Sequence, residues 1–103
     1  MNPEVLILYS RKGCCLCQTL EKKLSSIRIE NLNPSIALSI VDIDSKKVSL
    51  GIQKKYTNEV PVIVLDSTRL LKKIELPRVS PRLKEDMLLS WLQKNLIILY
   101  KPA

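Results

Sequence analysis

Residues 8–24 read LYSRKGCCLCQTLEKKL, and all three cysteines of the chain, Cys14, Cys15 and Cys17, fall within this stretch. The apolar run Val5-Leu6-Ile7-Leu8-Tyr9 leads into it. That run is long enough for a buried strand and too short for a helix. Ser10 to Gly13 reads as a turn. Leu16, Leu20, Leu24 and Ile27 then recur at helical spacing, with Glu21, Lys22 and Lys23 on the opposite side. An amphipathic helix over about residues 15–28 is the expectation. The cysteines thus sit between the end of a strand and the start of a helix.

Working outward, Ile36 to Val41 reads as a second buried strand. Asp42 or Asp44 is placed to cap a helix whose face carries Val48, Ile52 and Tyr56. Thr57-Asn58-Glu59 breaks that helix. Val60 to Leu65 reads as a third strand with Pro61 near its start, where a missing N–H costs least. Asp66-Ser67 is taken as a two-residue turn into a fourth, antiparallel strand over Arg69 to Leu76. Ser80-Pro81 has the form of an N-cap followed by a first-turn proline. It predicts a last helix carrying Leu83, Met87, Trp91 and Leu92 and ending near Asn95, followed by a short apolar tail. The order is β-α-β-α-β-β-α. Alternation of strands and helices predicts a parallel βαβ core with a hairpin at its edge, an α/β fold.

The totals set limits. With 103 residues, of which 46% are hydrophobic, the chain is expected to form one domain, residues 1–103. It has no His, which removes imidazole as general base, metal ligand or neutral-pH switch and excludes His-assisted hydrolases. Clustered cysteines cannot staple distant loops, so a secreted disulfide scaffold is excluded. Met1-Asn2-Pro3-Glu4 lacks a signal-peptide pattern, and Leu96 to Tyr100 is too short to span a bilayer. A cytoplasmic, soluble protein without a membrane partner is expected. The net charge of +7 comes as lysine doublets spread along the chain. They are not interleaved with aromatics, so no nucleic-acid partner is expected. These doublets are read as solvated faces, with steering of acidic partner proteins as the sharper alternative.

Cys14 and Cys17 form a C-x-x-C pair. At a helix N-terminus a thiolate is stabilised by unpaired N–H groups and the helix dipole, so its pKa falls from about 8.5 towards neutral. Arg11 and Lys12 act in the same direction. Cys14 is then the attacking thiol. Cys17, one turn along, resolves the mixed disulfide. Cys15 is either a second exchange partner or a thiol turned into the core, and it is read as a bystander.

With its strand–turn–helix context, LYSRKGCCLC followed by EVPVIVLD resembles the glutaredoxin-like branch of the thioredoxin fold. The resemblance covers almost the whole chain. It implies a thioredoxin-like four-stranded mixed sheet flanked by three helices, and a thiol–disulfide oxidoreductase acting in cell redox homeostasis on protein or glutathione mixed disulfides. It further implies a redox-active Cys14–Cys17 disulfide and a cis Pro61. Val60 would offer its backbone to substrate, and Arg11 would attract a glutathione carboxylate. No tightly bound cofactor is implied; glutathione enters as a candidate co-substrate, and the chain is read as a monomer. Two features depart from the family pattern. Cys15-Leu16 stands where glutaredoxins carry Pro-Tyr or Pro-Phe, and the segment IELPRVSPRLKED contains no glycine. Two other readings stay open: an iron–sulfur or metal-binding module, though a closed zinc site wants four ligands, and a non-catalytic adaptor on the same scaffold.

Overall fold

The computed structural model describes residues 4–29, 32 and 35–100. Met1 to Pro3, part of the N-terminal stretch considered above, lie outside the described residues. The elements are β1 (Glu4–Ser10), α1 (Cys15–Ser26), β2 (Ile36–Asp42), α2 (Leu50–Tyr56), β3 (Val62–Ser67), β4 (Lys72–Glu75) and α3 (Glu85–Tyr100). The four strands form one mixed sheet in the order β2-β1-β3-β4. β1 runs parallel to β2 and antiparallel to β3, and β4 runs antiparallel to β3. The β1-α1-β2 unit is parallel, as the alternation of strand and helix patterns predicts, but β3 after α2 runs antiparallel to β1 instead of extending a parallel core, so the sheet is the mixed one that the family resemblance implies, with the β3–β4 hairpin at one edge.

Side chains alternate across a strand, so β1 and β3 each feed two cores. Leu6 and Leu8, with Ile63 and Leu65, pack on one face against Leu20 and Leu24 of α1 and Leu88, Leu92 and Leu96 of α3. Ile7 and Tyr9, with Val62 and Val64, face the other side and meet Tyr56 and Ile52 of α2. Burial on both faces explains why β1 and β3 are continuous apolar runs rather than alternating ones.

Several boundaries differ from the sequence expectation, each for a visible reason. Neither Asp42 nor Asp44 caps α2. Ser49 does, its hydroxyl oxygen accepting from the Ile52 N–H at 3.2 Å. Asp42 instead closes a turn, accepting from the Asp44 N–H at 2.9 Å. Asp66-Ser67 is not a turn: both residues continue β3, and Thr68 to Leu71 make the reversal. Ser67 is buried, and its Oγ accepts from the Leu70 N–H at 2.9 Å, which folds the turn back onto the strand end. Ser80 caps no helix. Its Oγ accepts from the Arg82 N–H at 3.2 Å in a separate turn. The carbonyls of Pro81 and Leu83 both accept from Lys23 Nζ at 2.6 Å, which ties this segment to α1, and α3 begins only at Glu85. At its other end α3 runs past Asn95 to Tyr100, because Leu96 is buried in the core and the Tyr100 hydroxyl donates to Glu4 Oε2 at 2.9 Å. The expected apolar tail is therefore the last turns of a helix.

Candidate active site

β1 carries the chain to Ser10 at one end of the sheet, and a tight turn follows. The Cys14 N–H donates to the Arg11 carbonyl at 3.2 Å. Gly13 adopts φ +79°, a left-handed conformation in which any side chain is strained even though the space around it is open. Cys14 is the N-cap of α1 with extended backbone (φ −88°, ψ 103°). Its Sγ accepts from the Cys17 N–H at 3.2 Å. A sulfur thus occupies the position where Ser or Asp usually accepts from the third N–H of a helix. No acidic residue lies in the first turn of α1 to oppose negative charge there.

Cys14 and Cys17 are joined as a disulfide, with their Cα atoms 5.2 Å apart. Their exposures differ. Cys17 is 1% exposed and faces the core on the side of Leu20 and Leu24, while Cys14 is only half-buried. Cys15 is a free, exposed thiol, so it does not face the core. Leu16, between the pair, is also exposed. Among the described residues no three His, Cys, Asp or Glu side chains converge as a set of metal ligands.

The Val60–Pro61 peptide bond is cis. Val62 pairs with Tyr9, so Pro61 stands at the same end of the sheet as the dithiol turn. Val60 makes no loop hydrogen bond among the described residues. The loop before it is clipped by Arg78, whose Nη1 and Nη2 donate to the Glu59 carbonyl at 2.8 and 2.5 Å. Nη1 also reaches Glu59 Oε2 at 3.1 Å. A small indentation beside Pro61 is lined by Leu20, Leu76, Pro77 and Val79.

Arg11 does not point to an open ligand position. Its Nε and Nη2 donate to the two carboxylate oxygens of Asp44 at 2.8 and 3.1 Å. Its Nη1 and Nη2 donate to the Thr57 carbonyl and hydroxyl at 2.8 and 2.9 Å. One guanidinium therefore joins the dithiol turn, the β2–α2 loop and the segment leading to Val60. The hydrogen bond to Asp44 raises the Arg11 pKa, and the same bond lowers that of Asp44. Lys12, exposed beside it, is in no ion pair among the described residues. On the α2 face, Tyr56 stacks on Tyr9 with centroids 5.5 Å apart and donates to Glu75 Oε1 at 2.8 Å. Burial, then the Glu75 hydrogen bond, push the Tyr56 pKa up to about 12.

Of the residues singled out from sequence, Cys14, Cys17, Lys12, Val60 and Pro61 collect at one end of the sheet. Arg11 is there too, but as a tie between loops. Asp44, read from sequence as a helix cap, Thr57 and Glu59, read as a helix break, and Arg78 were not foreseen as part of the site. Their partners are distant in sequence, and no local pattern signals them.

The profile of the Glutaredoxin-like domain (DUF836) matches residues 5–93. The chain belongs to this family. Its fold is that of thioredoxin domains: the first thioredoxin domain of mouse protein disulfide-isomerase A4 superposes with a TM-score of 0.65 at 13% identity, over 99% of this chain and 69% of that one. A structure described as a malarial protein gives a TM-score of 0.60 at 19% identity, covering 92% and 99% of the two chains. A structural-genomics target from X. campestris is 25% identical over 86% of this chain and 96% of its own, with a TM-score of 0.49. No curated protein sequence matches at a level that shows kinship. Among the described residues of this glutaredoxin-like chain, no helix is long and apolar enough to cross a membrane.

Proposed function

We propose that this glutaredoxin-like chain is a thiol–disulfide oxidoreductase in which Cys14 attacks and Cys17 resolves. One observation carries the reading: the Cys14 sulfur caps α1, receives the Cys17 N–H and is partly open to solvent, while Cys17 is sealed beneath it. In the reduced chain the same N–H and the helix dipole favour the Cys14 thiolate. That thiolate attacks one sulfur of a substrate disulfide. A mixed disulfide forms, and the first substrate thiolate leaves and takes up a proton. Cys17 then loses its proton and attacks the Cys14 sulfur, expelling the second substrate thiol. The chain is left with the Cys14–Cys17 disulfide, the substrate has gained two electrons, and an external thiol must reduce the chain again.

Protein disulfides and glutathione mixed disulfides are the substrate classes this chemistry fits, with the Val60 backbone, which has no hydrogen-bond partner among the described residues, as the docking edge beside Pro61 and no tightly bound cofactor required. With Arg11 held by Asp44, the exposed Lys12 is the cation available to a glutathione carboxylate. The test is reduction of a glutathione mixed disulfide and of insulin with excess reductant. Cys14→Ser should abolish turnover. Cys17→Ser should trap mixed disulfide on Cys14. Equal rates for wild type and Cys14→Ser would refute the proposal. Alkylation of the reduced chain against pH, with and without glutathione, should place the Cys14 thiol below the ordinary cysteine range.

A further inference from the structure

The lysine doublets of the chain are not equivalent. Lys23 commits its ammonium to the Pro81 and Leu83 carbonyls, and Glu21 adjoins Lys22. Lys72 and Lys73 share β4 with Glu75, and Lys72 pairs with Ser67 at the end of the sheet away from the dithiol. The other two, Lys46-Lys47 and Lys54-Lys55, fall within residues 45–58, which contain no Asp or Glu. These lysines are all exposed, and none is in an ion pair among the described residues. Lys55 Nζ lies over the Tyr56 ring, 5.3 Å from its centroid, which leaves its charge uncompensated.

The fold gathers these lysines on one face. The Ser45 carbonyl accepts from the Val48 N–H at 3.0 Å and from Gln53 Nε2 at 3.2 Å, so the turn carrying Lys46 and Lys47 is bound to α2. Ile52 and Tyr56 turn toward the core. Leu50 and Lys54, also one helical turn apart, are thereby directed outward, and Leu50 is 73% exposed. The face is set beside the dithiol as well. Arg11 grips Asp44, just before the first doublet, and Thr57, just after the second, while its own carbonyl accepts from the Cys14 N–H. Lys12, exposed in the dithiol turn, adds to the positive charge. The acids at the border are engaged. Asp44 is held by Arg11 and Glu59 by Arg78; Asp42 and Glu75 accept from the Asp44 N–H and the Tyr56 hydroxyl.

We propose that this face docks a protein partner whose disulfide lies in an acidic surface. The partner's carboxylates meet Lys46, Lys47, Lys54 and Lys55, and its disulfide meets Cys14. This docking role rests on Cys14 as the attacking thiol and names the substrate class it serves. Charge complementarity selects the partner and steers its approach. A nucleic acid fits less well, because Tyr56 is buried and no exposed aromatic or arginine stands among these lysines to stack on a base. A membrane surface fits less well too, because α2 spans only Leu50–Tyr56 and exposes one large apolar side chain.

The test uses the prereduced full chain in single turnover, so that Cys14 and Cys17 supply the two electrons that each substrate disulfide takes up. Two peptides carry mercaptoethanol on one cysteine, flanked by glutamates in the first and by lysines in the second. At low salt the glutamate peptide should be reduced at least tenfold faster. Raising salt from about 0.01 to about 1 M shortens the Debye length from about 30 to about 3 Å and should erase the difference. Lys54→Glu with Lys55→Glu should slow the glutamate peptide at least tenfold. Lys46→Glu with Lys47→Glu should act in the same direction. Lys72→Glu with Lys73→Glu, the same change of charge at the far end, should alter the rate less than twofold. Hydroxyethyl disulfide, which is uncharged, should be reduced equally by all of these chains, which also shows that the variants fold. Equal rates for the two peptides, with hydroxyethyl disulfide still reduced, overturn the docking role and leave the role of Cys14 standing. Failure of the wild type to reduce hydroxyethyl disulfide overturns the role of Cys14 instead. Docking is then read by itself, from amide chemical shifts with a glutamate peptide lacking cysteine. Shifts at Lys46, Lys47, Leu50 and Lys54 are expected; their absence, or their appearance with single-stranded DNA and not with the peptide, overturns the proposal.

Discussion

The two ends of β1 are each tied down by one charged side chain with four hydrogen-bonding contacts, yet the two ties differ in kind. At the dithiol end Arg11 reaches Asp44 and Thr57, and its ion pair is a third exposed on the arginine side and more than half exposed on the aspartate side. At the other end Glu4 is 2% exposed. It accepts from the Thr68 hydroxyl and the Arg69 N–H at Oε1 and from the Tyr100 hydroxyl at Oε2, with the Ser67 hydroxyl also bonded to it. A buried carboxylate without such partners would be neutralised. Burial does push the Glu4 pKa up, but the hydrogen bonds together outweigh it and the net shift is downward. The difference teaches where stability and where adaptability are placed. The far end is closed by a fully satisfied buried charge, and the dithiol end by a screened, exchangeable one.

The largest expected effect comes from emptying the buried end. Glu4→Ala leaves the Tyr100 and Thr68 hydroxyls and the Arg69 N–H without their acceptor and should cost about 3 kcal/mol in denaturant unfolding. Arg11→Ala should cost clearly less, because water can take the place of the guanidinium at the exposed Asp44 carboxylate. The reverse order would break the comparison. In turnover the ranking should invert: Arg11→Ala should slow disulfide reduction several-fold by freeing the dithiol turn from the Thr57 segment, whereas Glu4→Gln should leave the rate near wild type.

Acid sharpens the contrast. Glu4 and Asp44 both titrate below their ordinary values of 4.5 and 3.8 when folded. Each therefore adds stability that is present above those values and lost as pH falls through the lowered ones. Stability measured from pH 6 downward should fall in this window, and Glu4→Gln should flatten the fall. Added salt should weaken the Asp44 contribution and leave that of Glu4 nearly unchanged. The smallest effects concern the two turns. Gly13→Ala, at φ +79°, should destabilise by about 1 kcal/mol. Leu71→Gly, at φ +56° in the far turn and 87% exposed, should be neutral to slightly stabilising in the same assay.

The strands and the dithiol helix were legible because their signals are local: apolar runs at strand length, leucines at helical spacing and cysteines at the junction. The family resemblance and the element order follow from these. The Arg11 network was not legible, because Asp44 and Thr57 lie far along the chain and two loops had to fold before they met. Nor was the role of Glu4, whose partners come from the β3–β4 turn and the end of α3. Ser80-Pro81 had the local form of a helix start and misled, because a long-range donor, Lys23, claims the carbonyls that follow. Tyr100 looked like a tail residue for the same reason: the acceptor that holds its turn of helix is ninety-six positions away.

Lys23 has a mechanical consequence. Its ammonium group grips the Pro81 and Leu83 carbonyls, and Ser26 Oγ donates to Glu85 Oε1 at 3.0 Å. The distal half of α1 is thus clamped to the approach of α3, while its proximal tip carries the sulfurs. The helix behaves as a beam fixed at one end and loaded at the other. Breaking and remaking the sulfur–sulfur bond should deflect the short, glycine-hinged turn from Arg11 to Gly13 and leave the clamped half at rest.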